Sequence, residues 1–186
     1  RDKSKRYSPV LPAVLSLTAI VSVFVWTDIS MKNSGAAVNI LDVGDGQCIA
    51  ITQNEHTLVI DCGSSGTGEN AGSALSSYLH SEGRGSIDCL IITHPHSDHA
   101  GGVTGLMGLA DVAKLILPAP EDEETALYKS IIDAAAKHDI KTELVSSDED
   151  FKIGDISVSL YAPYAEGDGN ERGLMLTVSV VNRKCG

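Results

Sequence analysis

A cluster of three histidines and one aspartate stands within six residues near the middle of the chain. The segment that begins at Thr93 reads Thr-His-Pro-His-Ser-Asp-His-Ala-Gly-Gly and supplies His94, His96, Asp98 and His99. Burying such polar groups is costly unless something binds them, and imidazole nitrogen with carboxylate oxygen is a ligand set that suits zinc, manganese or iron. The segment therefore predicts a metal site rather than a solvated loop that is rich in histidine by chance.

The spacing of these residues predicts two metal positions. On a loop that leaves a strand, alternate residues point to one side, so His94 and His96 can share one position while Asp98 and His99 turn toward a second. Two divalent cations (Zn or Mn) about 3.5–4 Å apart can polarise an acyl or phosphoryl oxygen, and they lower the pKa of a bound water toward about 7. Hydroxide then becomes available as a nucleophile at neutral pH, and Asp98 is the candidate catalytic carboxylate.

A buried strand must deliver this loop, and the apolar run at 89–92 predicts one. Two glycines end the motif and a helix is predicted after them, at 103–109. Other strands are predicted at 38–41, 48–52, 57–60, 114–117, 141–145, 151–153, 156–161 and 174–181, and other helices at 71–81 and 123–138. This mixture of hairpins and strand–helix alternation predicts a layered α/β architecture with helices on one face of a sheet.

The composition restricts the function classes. The 186 residues are 42% hydrophobic, which is enough to bury a core, and the net charge is −11. Such a charge repels other polyanions and argues against a nonspecific nucleic-acid-binding module, which needs a basic patch. It does not exclude an enzyme, because bound metal ions reverse the local field.

The four cysteines are not spaced as a metal site. No C-x-x-C pair occurs among Cys48, Cys62, Cys89 and Cys185, so a zinc site built from thiolates is not expected. Cys48 and Cys89 lie in apolar runs and are expected to pack as small buried hydrophobes. A domain of this size needs no disulfide, and free thiols are therefore the expectation.

An uncharged apolar segment precedes the α/β pattern. A helix over 10–29 would span about 30 Å, close to the thickness of the hydrocarbon core of a bilayer. Four basic residues stand within the flank 1–9 and Trp26 stands at the far end of the segment, an order that places the basic flank in the cytoplasm and the following chain outside. We therefore predict a transmembrane helix. A cleaved signal peptide and a buried core helix are the alternative interpretations.

These boundaries give the predicted domain organisation. The flank 1–9 is followed by the membrane helix 10–29, a linker at 30–37 and a single domain at 38–186 with its site outside the cell membrane. Because the chain starts at Arg1 and stops directly after an apolar strand, we expect it to be a piece of a longer protein.

The histidine motif resembles the signature of the metallo-β-lactamase superfamily. The resemblance implies an αββα sandwich, present here without its C-terminal part, in which His94 and His96 bind one metal while Asp98 and His99 bind the second. Asp61, in the sequence Asp-Cys-Gly, matches the superfamily's Asp-x-Gly after an early strand. We expect Asp61 to orient the ligand loop through hydrogen bonds, and an ordinary turn residue is the alternative.

A narrower resemblance comes from the flanking segments. Residues 39–47, Asn-Ile-Leu-Asp-Val-Gly-Asp-Gly-Gln, resemble the Leu-Asp-Val-Gly-Gln-Gly-Asp opening of the ComEC-type DNA-internalisation (competence) family, and 170–174 resembles a later motif of that family. Asp45 and Gln47 invert the family's order, and Gly173 replaces its usual serine. The family's next Thr-Gly-Asp and the superfamily's distal histidine would lie beyond this sequence, so we expect further metal ligands there.

Three functions follow as expectations. The first is a membrane-tethered, metal-dependent phosphodiesterase of a DNA-uptake channel, with single-stranded DNA as substrate and the membrane as partner. The second is a small-molecule hydrolase of the lactamase, lactonase or thioesterase type. The third is a non-catalytic structural domain that has kept the fold. No protein partner is identifiable from the sequence.

Overall fold

The structure is a computed structural model, and it describes residues 10–32, 35–66, 69–120, 125–162 and 173–180. The chain divides into two compact units, Arg1–Ser34 and Gly35–Gly186. Within the second unit, the strands are β1 (Ala37–Ile40), β2 (Cys48–Gln53), β3 (His56–Cys62), β4 (Ser86–Ile87), β5 (Cys89–Ile91), β6 (Asp111–Val112), β7 (Lys114–Pro118), β8 (Lys141–Val145), β9 (Glu149–Ile153), β10 (Ile156–Tyr161) and β11 (Met175–Val180). The helices of the chain are α1 (Val10–Lys32), α2 (Glu69–Ser81), α3 (Ser97–Ala100), α4 (Val103–Leu106) and α5 (Ala126–Lys137).

The first unit contributes one long helix, α1. Among the described residues, its segment Val10–Thr27 is the one helical stretch long and apolar enough to cross a membrane, a test that a signal sequence or a core helix also passes. The Ser16 and Ser22 hydroxyls donate to backbone carbonyls one turn earlier, at 2.8 and 2.7 Å, so the helix satisfies these polar groups itself. The helix continues to Lys32, three residues beyond the predicted end at 29.

The second unit is built on a six-stranded sheet with the order β1-β2-β3-β5-β7-β8. The first three strands are antiparallel neighbours, while β3, β5, β7 and β8 run parallel. Because parallel strands end at the same edge of a sheet, the residues that follow β3 and β5 meet at one edge. We call this the metal edge, and we call the opposite edge, where β3, β7 and β8 begin, the far edge.

The inner strands of the sheet are buried on both faces, as parallel strands usually are. On one face, strand residues pack with α2, α4 and α5 in a helix-side core that includes Val59, Leu75, Leu90, Leu106, Leu115 and Ile131. On the other face, strand residues pack against the three-stranded sheet β11-β10-β9 in an inter-sheet core that includes Leu58, Ile91, Ile116, Ile156, Val158 and Leu160. These mixed α/β layers agree with the layered architecture that the sequence pattern predicts and with the sandwich that the resemblance implies.

The predicted elements differ from the structure mainly at their ends. Strand β3 runs two residues past its predicted end and so includes Asp61 and Cys62. Helix α5 starts at Ala126 because the Thr125 hydroxyl caps it, accepting a hydrogen bond from the Tyr128 N–H at 3.1 Å, whereas the helix was predicted from 123. The short parallel pair β4 and β6 was not predicted, since two-residue strands carry no periodic signal.

Candidate metal centre

Three of the predicted ligands converge on one point at the metal edge. Strand β5 leads into the segment that carries His94 and His96, and Asp98 lies in the single turn α3. One ligand atom from each of these three side chains lies within 4.8 Å of the other two. All three residues are partly exposed, so a cation can reach them from solvent.

His99 lies beside this group of three. Its ring centroid is 3.8 Å from that of His94, and its Nε2 is 3.4 Å from Asp98 Oδ2. Its Nδ1 is 2.8 Å from Asp61 Oδ2, and because an ionised carboxylate can only accept, Nδ1 is the donor in this hydrogen bond. Asp98 is therefore close both to His94 and His96, with which it converges, and to His99.

Asp61 is aimed at the loop by an irregularity in β3. Cys48 pairs with Cys62 while Ile49 pairs with Ile60, so Asp61 is an extra residue and forms a β-bulge. Its φ of +58° is left-handed, a conformation that aspartate tolerates better than most residues. The bulge turns the Asp61 side chain, which is 0% exposed, toward the segment that follows β5.

The buried carboxylate of Asp61 accepts three hydrogen bonds. Thr93 donates twice, from its N–H at 2.7 Å and its Oγ1 at 2.8 Å, and His99 donates from Nδ1 at 2.8 Å. Burial raises the pKa of Asp61, and the bonds from His99 and Thr93 oppose that rise. Asp61 therefore contacts the residue before the first histidine of the motif and its last histidine, and its role in orienting the ligand loop stays a prediction.

Thr93 is a residue of the site whose contacts were not predicted from the sequence. Its hydroxyl also lies 3.2 Å from His94 Nδ1 and 3.4 Å from His99 Nδ1, and its carbonyl accepts from the Leu174 N–H at 2.8 Å. Thr93 thus links the bulge, two of the histidines and the chain before β11. Its position directly before the first histidine was visible in the sequence, but its partner Asp61 is 32 residues away.

Backbone atoms at the ends of β2 and β3 pack against the ligand loop and hold it in place. A Cβ on Gly63 would lie 2.4 Å from the Asp98 carbonyl carbon and from the His99 nitrogen, so only glycine fits there. The Gln47 N–H donates to the Asp98 carbonyl, and the Gly102 N–H donates to the Cys62 carbonyl, both at 2.8 Å. The ends of β2 and β3 therefore form a platform against which the ligand segment is pressed.

The local electrostatics favour neutral imidazole at His94. Burial lowers its pKa, and the nearby rings of His99 and His96 lower it further. A neutral imidazole is the form that binds metals. The converging oxygen and nitrogen donors, with a neutral ring among them and a carboxylate that fixes His99, fit a divalent cation such as zinc.

The remaining histidines lie elsewhere. His56 is at the far edge, where its Nδ1 is 3.3 Å from Asp88 Oδ1. His80 Nδ1 is 2.8 Å from the Ser76 carbonyl within α2, and His138 caps the C-terminus of α5. Asp168, which the sequence suggests is a turn residue, lies outside the described residues. Gly173 lies beside the site, since a Cβ there would be 3.7 Å from His94 Nδ1.

Sequence comparison settles the family. The sequence profile described as the metallo-beta-lactamase superfamily matches residues 41–172, more than half of the chain. The chain belongs to the metallo-beta-lactamase superfamily. Its fold is thus one that metal-dependent hydrolases use. No curated protein sequence matches this superfamily member.

Solved structures of two metallo-beta-lactamases and of one metallo-beta-lactamase fold protein share the fold. MEM-A1, a subclass B3 metallo-beta-lactamase from a soil metagenome library, is 14% identical with a TM-score of 0.55, over 81% of this chain and 57% of that one. YhfI from Bacillus subtilis, a metallo-beta-lactamase fold protein, is 14% identical with a TM-score of 0.53, over 78% and 58%. SMB-1 is 14% identical with a TM-score of 0.51, over 75% and 54%. This chain therefore spans little more than half the length of these proteins.

Proposed function

We propose that the protein is a membrane-tethered, metal-dependent phosphodiesterase that acts on single-stranded DNA as part of a DNA-uptake channel. The proposal of metal-dependent hydrolysis is supported by the convergence of His94, His96 and Asp98, whose ligand atoms lie within 4.8 Å of one another on a metallo-beta-lactamase fold. Such a ligand set at the end of a buried strand is the arrangement that a divalent cation requires. The membrane, DNA and uptake parts depend on sequence features.

The two cations, Zn or Mn, would be divided among the four ligands. His94 and His96 would hold the first and His99 Nε2 the second, and Asp98 lies close enough to both to serve either. Bound divalent cations supply a water of lowered pKa and polarise a phosphoryl oxygen. The chain's own contribution is to keep His99 in one tautomer through Asp61 and to hold the loop backbone through Gly63.

The DNA-uptake setting is supported by the segments 39–47 and 170–174, which resemble the competence family. The membrane location is supported by the apolar helix α1 and by the basic residues in the flank 1–9. With that flank in the cytoplasm, the second unit would lie on the extracytoplasmic side, where incoming DNA would be available.

A small-molecule hydrolase is the second candidate, and the charge distribution favours it. The net charge is −11, and the Asp45 carboxylate accepts a hydrogen bond from Ser65 at 2.6 Å in loops beside the platform. Three of the basic residues that the structure describes, Arg84, Lys114 and Lys141, lie at the far edge. A neutral ester or amide substrate needs no cationic side chains beside the metals, whereas a polyanion benefits from them.

One experiment separates the candidates. The full chain in detergent is loaded with manganese or zinc and offered single-stranded DNA and a β-lactam. The variant His96→Ala removes a predicted ligand, and His138→Ala, at the end of α5, is the matched control. DNA cleavage that is lost in His96→Ala but kept in His138→Ala supports the phosphodiesterase. Turnover of the lactam alone supports the second candidate. A folded chain that binds metal but turns over neither substrate contradicts the phosphodiesterase and the lactamase, and leaves a lactonase, a thioesterase or the structural domain.

A further inference from the structure

Two of the buried cysteines face each other across the platform that holds the ligand loop. Cys48 on β2 is the direct antiparallel partner of Cys62 on β3, and both are 0% exposed. Both are thiols in the structure, and the proximity of Cys48, together with burial, raises the pKa of Cys62. The sequence separates them by fourteen positions and includes no C-x-x-C pair, so their proximity follows only from the hairpin register.

The register also places this pair at the closest kind of cross-strand position. The Gly63 N–H donates to the Gln47 carbonyl at 3.0 Å. Gln47 and Gly63, which are adjacent to the two cysteines, are therefore the hydrogen-bonded pair. Pairs alternate along an antiparallel ladder, so Cys48 and Cys62 occupy a non-hydrogen-bonded position, where Cα atoms are about 4.5 Å apart. Disulfides span Cα separations of roughly 4.4–6.8 Å, and this pair meets that requirement.

We propose that Cys48 and Cys62 are a disulfide site, and that the cross-link fastens β2 to β3 directly beneath the metal loop. Both strands hold that loop at the neighbouring residues. Gln47 donates to the Asp98 carbonyl, Asp61 accepts from His99, and the Cys62 carbonyl accepts from Gly102. A covalent bond at this position keeps the two halves of the platform at a fixed separation.

The oxidation balances as thiol–disulfide exchange. One small-molecule or protein disulfide, RSSR, reacts with the two cysteine thiols to give the Cys48–Cys62 disulfide and two RSH. The sulfur–sulfur bond of the oxidant breaks, the one between the cysteines forms, and the two thiol protons pass to the departing thiolates. Because both sulfurs are buried in the folded chain, the exchange occurs while the hairpin is forming. An oxidising compartment outside the membrane suits it, a setting that rests on the location proposed above.

The test is peptide mapping of the full chain in detergent, folded in the presence of oxidised glutathione. Remaining thiols are blocked with N-ethylmaleimide in acidic denaturant, and the chain is cut after Glu55, which lies between the two cysteines. The disulfide predicts that the fragments containing Cys48 and Cys62 remain joined and that both lack the label. Cys89 is the internal control, because it is equally buried but pairs with Leu58 on β3, and it should carry the label.

Full labelling of both Cys48 and Cys62 in the folded protein would overturn the proposal. A second measurement is the melting temperature with and without a reductant. The loop that the disulfide closes has about fifteen residues, so reduction should lower the melting temperature of the wild type by about 6 °C and leave that of Cys62→Ala unchanged. Neither measurement requires bound metal or activity, so failure of the proposed hydrolytic function would leave both results interpretable.

Discussion

Two pairs of histidine and aspartate lie at opposite edges of the same six-stranded sheet, and they are used differently. At the metal edge, His99 Nδ1 is 2.8 Å from Asp61, whose side chain is 0% exposed. At the far edge, His56 Nδ1 is 3.3 Å from Asp88, whose side chain is 37% exposed. Asp61 holds a loop on which further ligands converge, whereas Asp88 accepts from the Thr57 N–H at the start of β3.

A contact between a histidine and an aspartate does not by itself identify a candidate site. Among the described residues, one group of three or more metal-ligating side chains converges, and it lies at the metal edge beside His99. The second nitrogen of His99 faces Asp98, while the His56 ring packs against Gly154 in the β9–β10 turn. The surroundings of the second ring nitrogen, rather than the His–Asp contact itself, therefore distinguish a ligand from a structural residue.

The largest effect is expected from Gly63→Ala. The added Cβ would meet backbone atoms of Asp98 and His99 at 2.4 Å, and a backbone cannot move aside as a side-chain end can. We expect a loss of about 3 kcal/mol of stability together with loss of metal binding, measured by urea unfolding and zinc titration. Gly105→Ala is the matched control, because nothing lies within 4 Å of its Cβ position in α4. Equal stability of the two variants would show that the platform does not confine the loop.

The next effect is expected from Asp61→Asn. Asparagine also tolerates a positive φ, so the bulge can persist while the carboxylate that fixes the His99 tautomer is lost. Zinc affinity should fall by about 10–100-fold, measured by competition with a chromophoric chelator. Asp88→Asn makes the same change at the far edge and should leave zinc affinity as it is. Equal affinities in both variants would remove the distinction between the two edges.

A smaller effect is expected from Thr93→Val, which keeps the shape of the side chain and removes its hydroxyl. The lost hydrogen bond to the buried Asp61 carboxylate should cost about 1–2 kcal/mol of stability, measured by chemical unfolding. Thr142→Val is the control, since the exposed Thr142 hydroxyl bonds only to the carbonyl two residues before it, at 3.3 Å. A cost no greater than that of the control would mean that Thr93 does not organise the site.

The smallest effect is expected at Glu149 on β9, away from the metal edge, where the neighbouring carboxylate is Glu143 on β8. Burial and the neighbouring Glu143 raise the pKa of Glu149, while Lys114, 2.9 Å away, lowers the pKa of Glu143. A raised pKa means that the folded state holds the proton more tightly, so this contribution is present below about pH 4.5 and is lost as the pH rises through the raised pKa.

Glu149→Gln mimics the protonated acid and should therefore melt about 1–3 °C above the wild type at pH 7, with the difference vanishing below about pH 4.5. Glu143→Gln should melt below the wild type at pH 7, because the lowered pKa of Glu143 stabilises the folded state above about pH 4.5. Thermal melts of the three proteins from pH 4 to pH 8 measure both effects. If the difference in melting temperature between Glu149→Gln and the wild type does not change with pH, the pKa of Glu149 is not raised in the folded state.

The sequence predicted most of the elements and the ligand motif, because both depend on local patterns. Hydrophobic runs indicated the buried strands, and the closely spaced His94, His96, Asp98 and His99 indicated a metal loop without any knowledge of the fold. The Asp-Cys-Gly segment was assigned to the ligand loop only through the family resemblance, and the structure places its carboxylate on His99 and Thr93.

Features that depend on register were not predictable. The bulge at Asp61 exists because β2 and β3 slip by one residue between two pairs, and no residue type announces such a slip. The facing of Cys48 and Cys62 has the same origin, whereas the expectation of free thiols came from the size of the domain. The role of Thr93 depends on a contact 32 residues away, which a local pattern does not contain.

Zinc titration of the full chain in detergent, followed by calorimetry for the wild type, His96→Ala and His138→Ala, is the direct test of whether His94, His96 and Asp98 bind a divalent cation. The wild type and His138→Ala should bind zinc alike, and His96→Ala should bind it at least about tenfold more weakly, because one of the three converging ligands is missing. Indistinguishable binding by all three proteins, or no binding by a folded wild type, would contradict this assignment of the ligands.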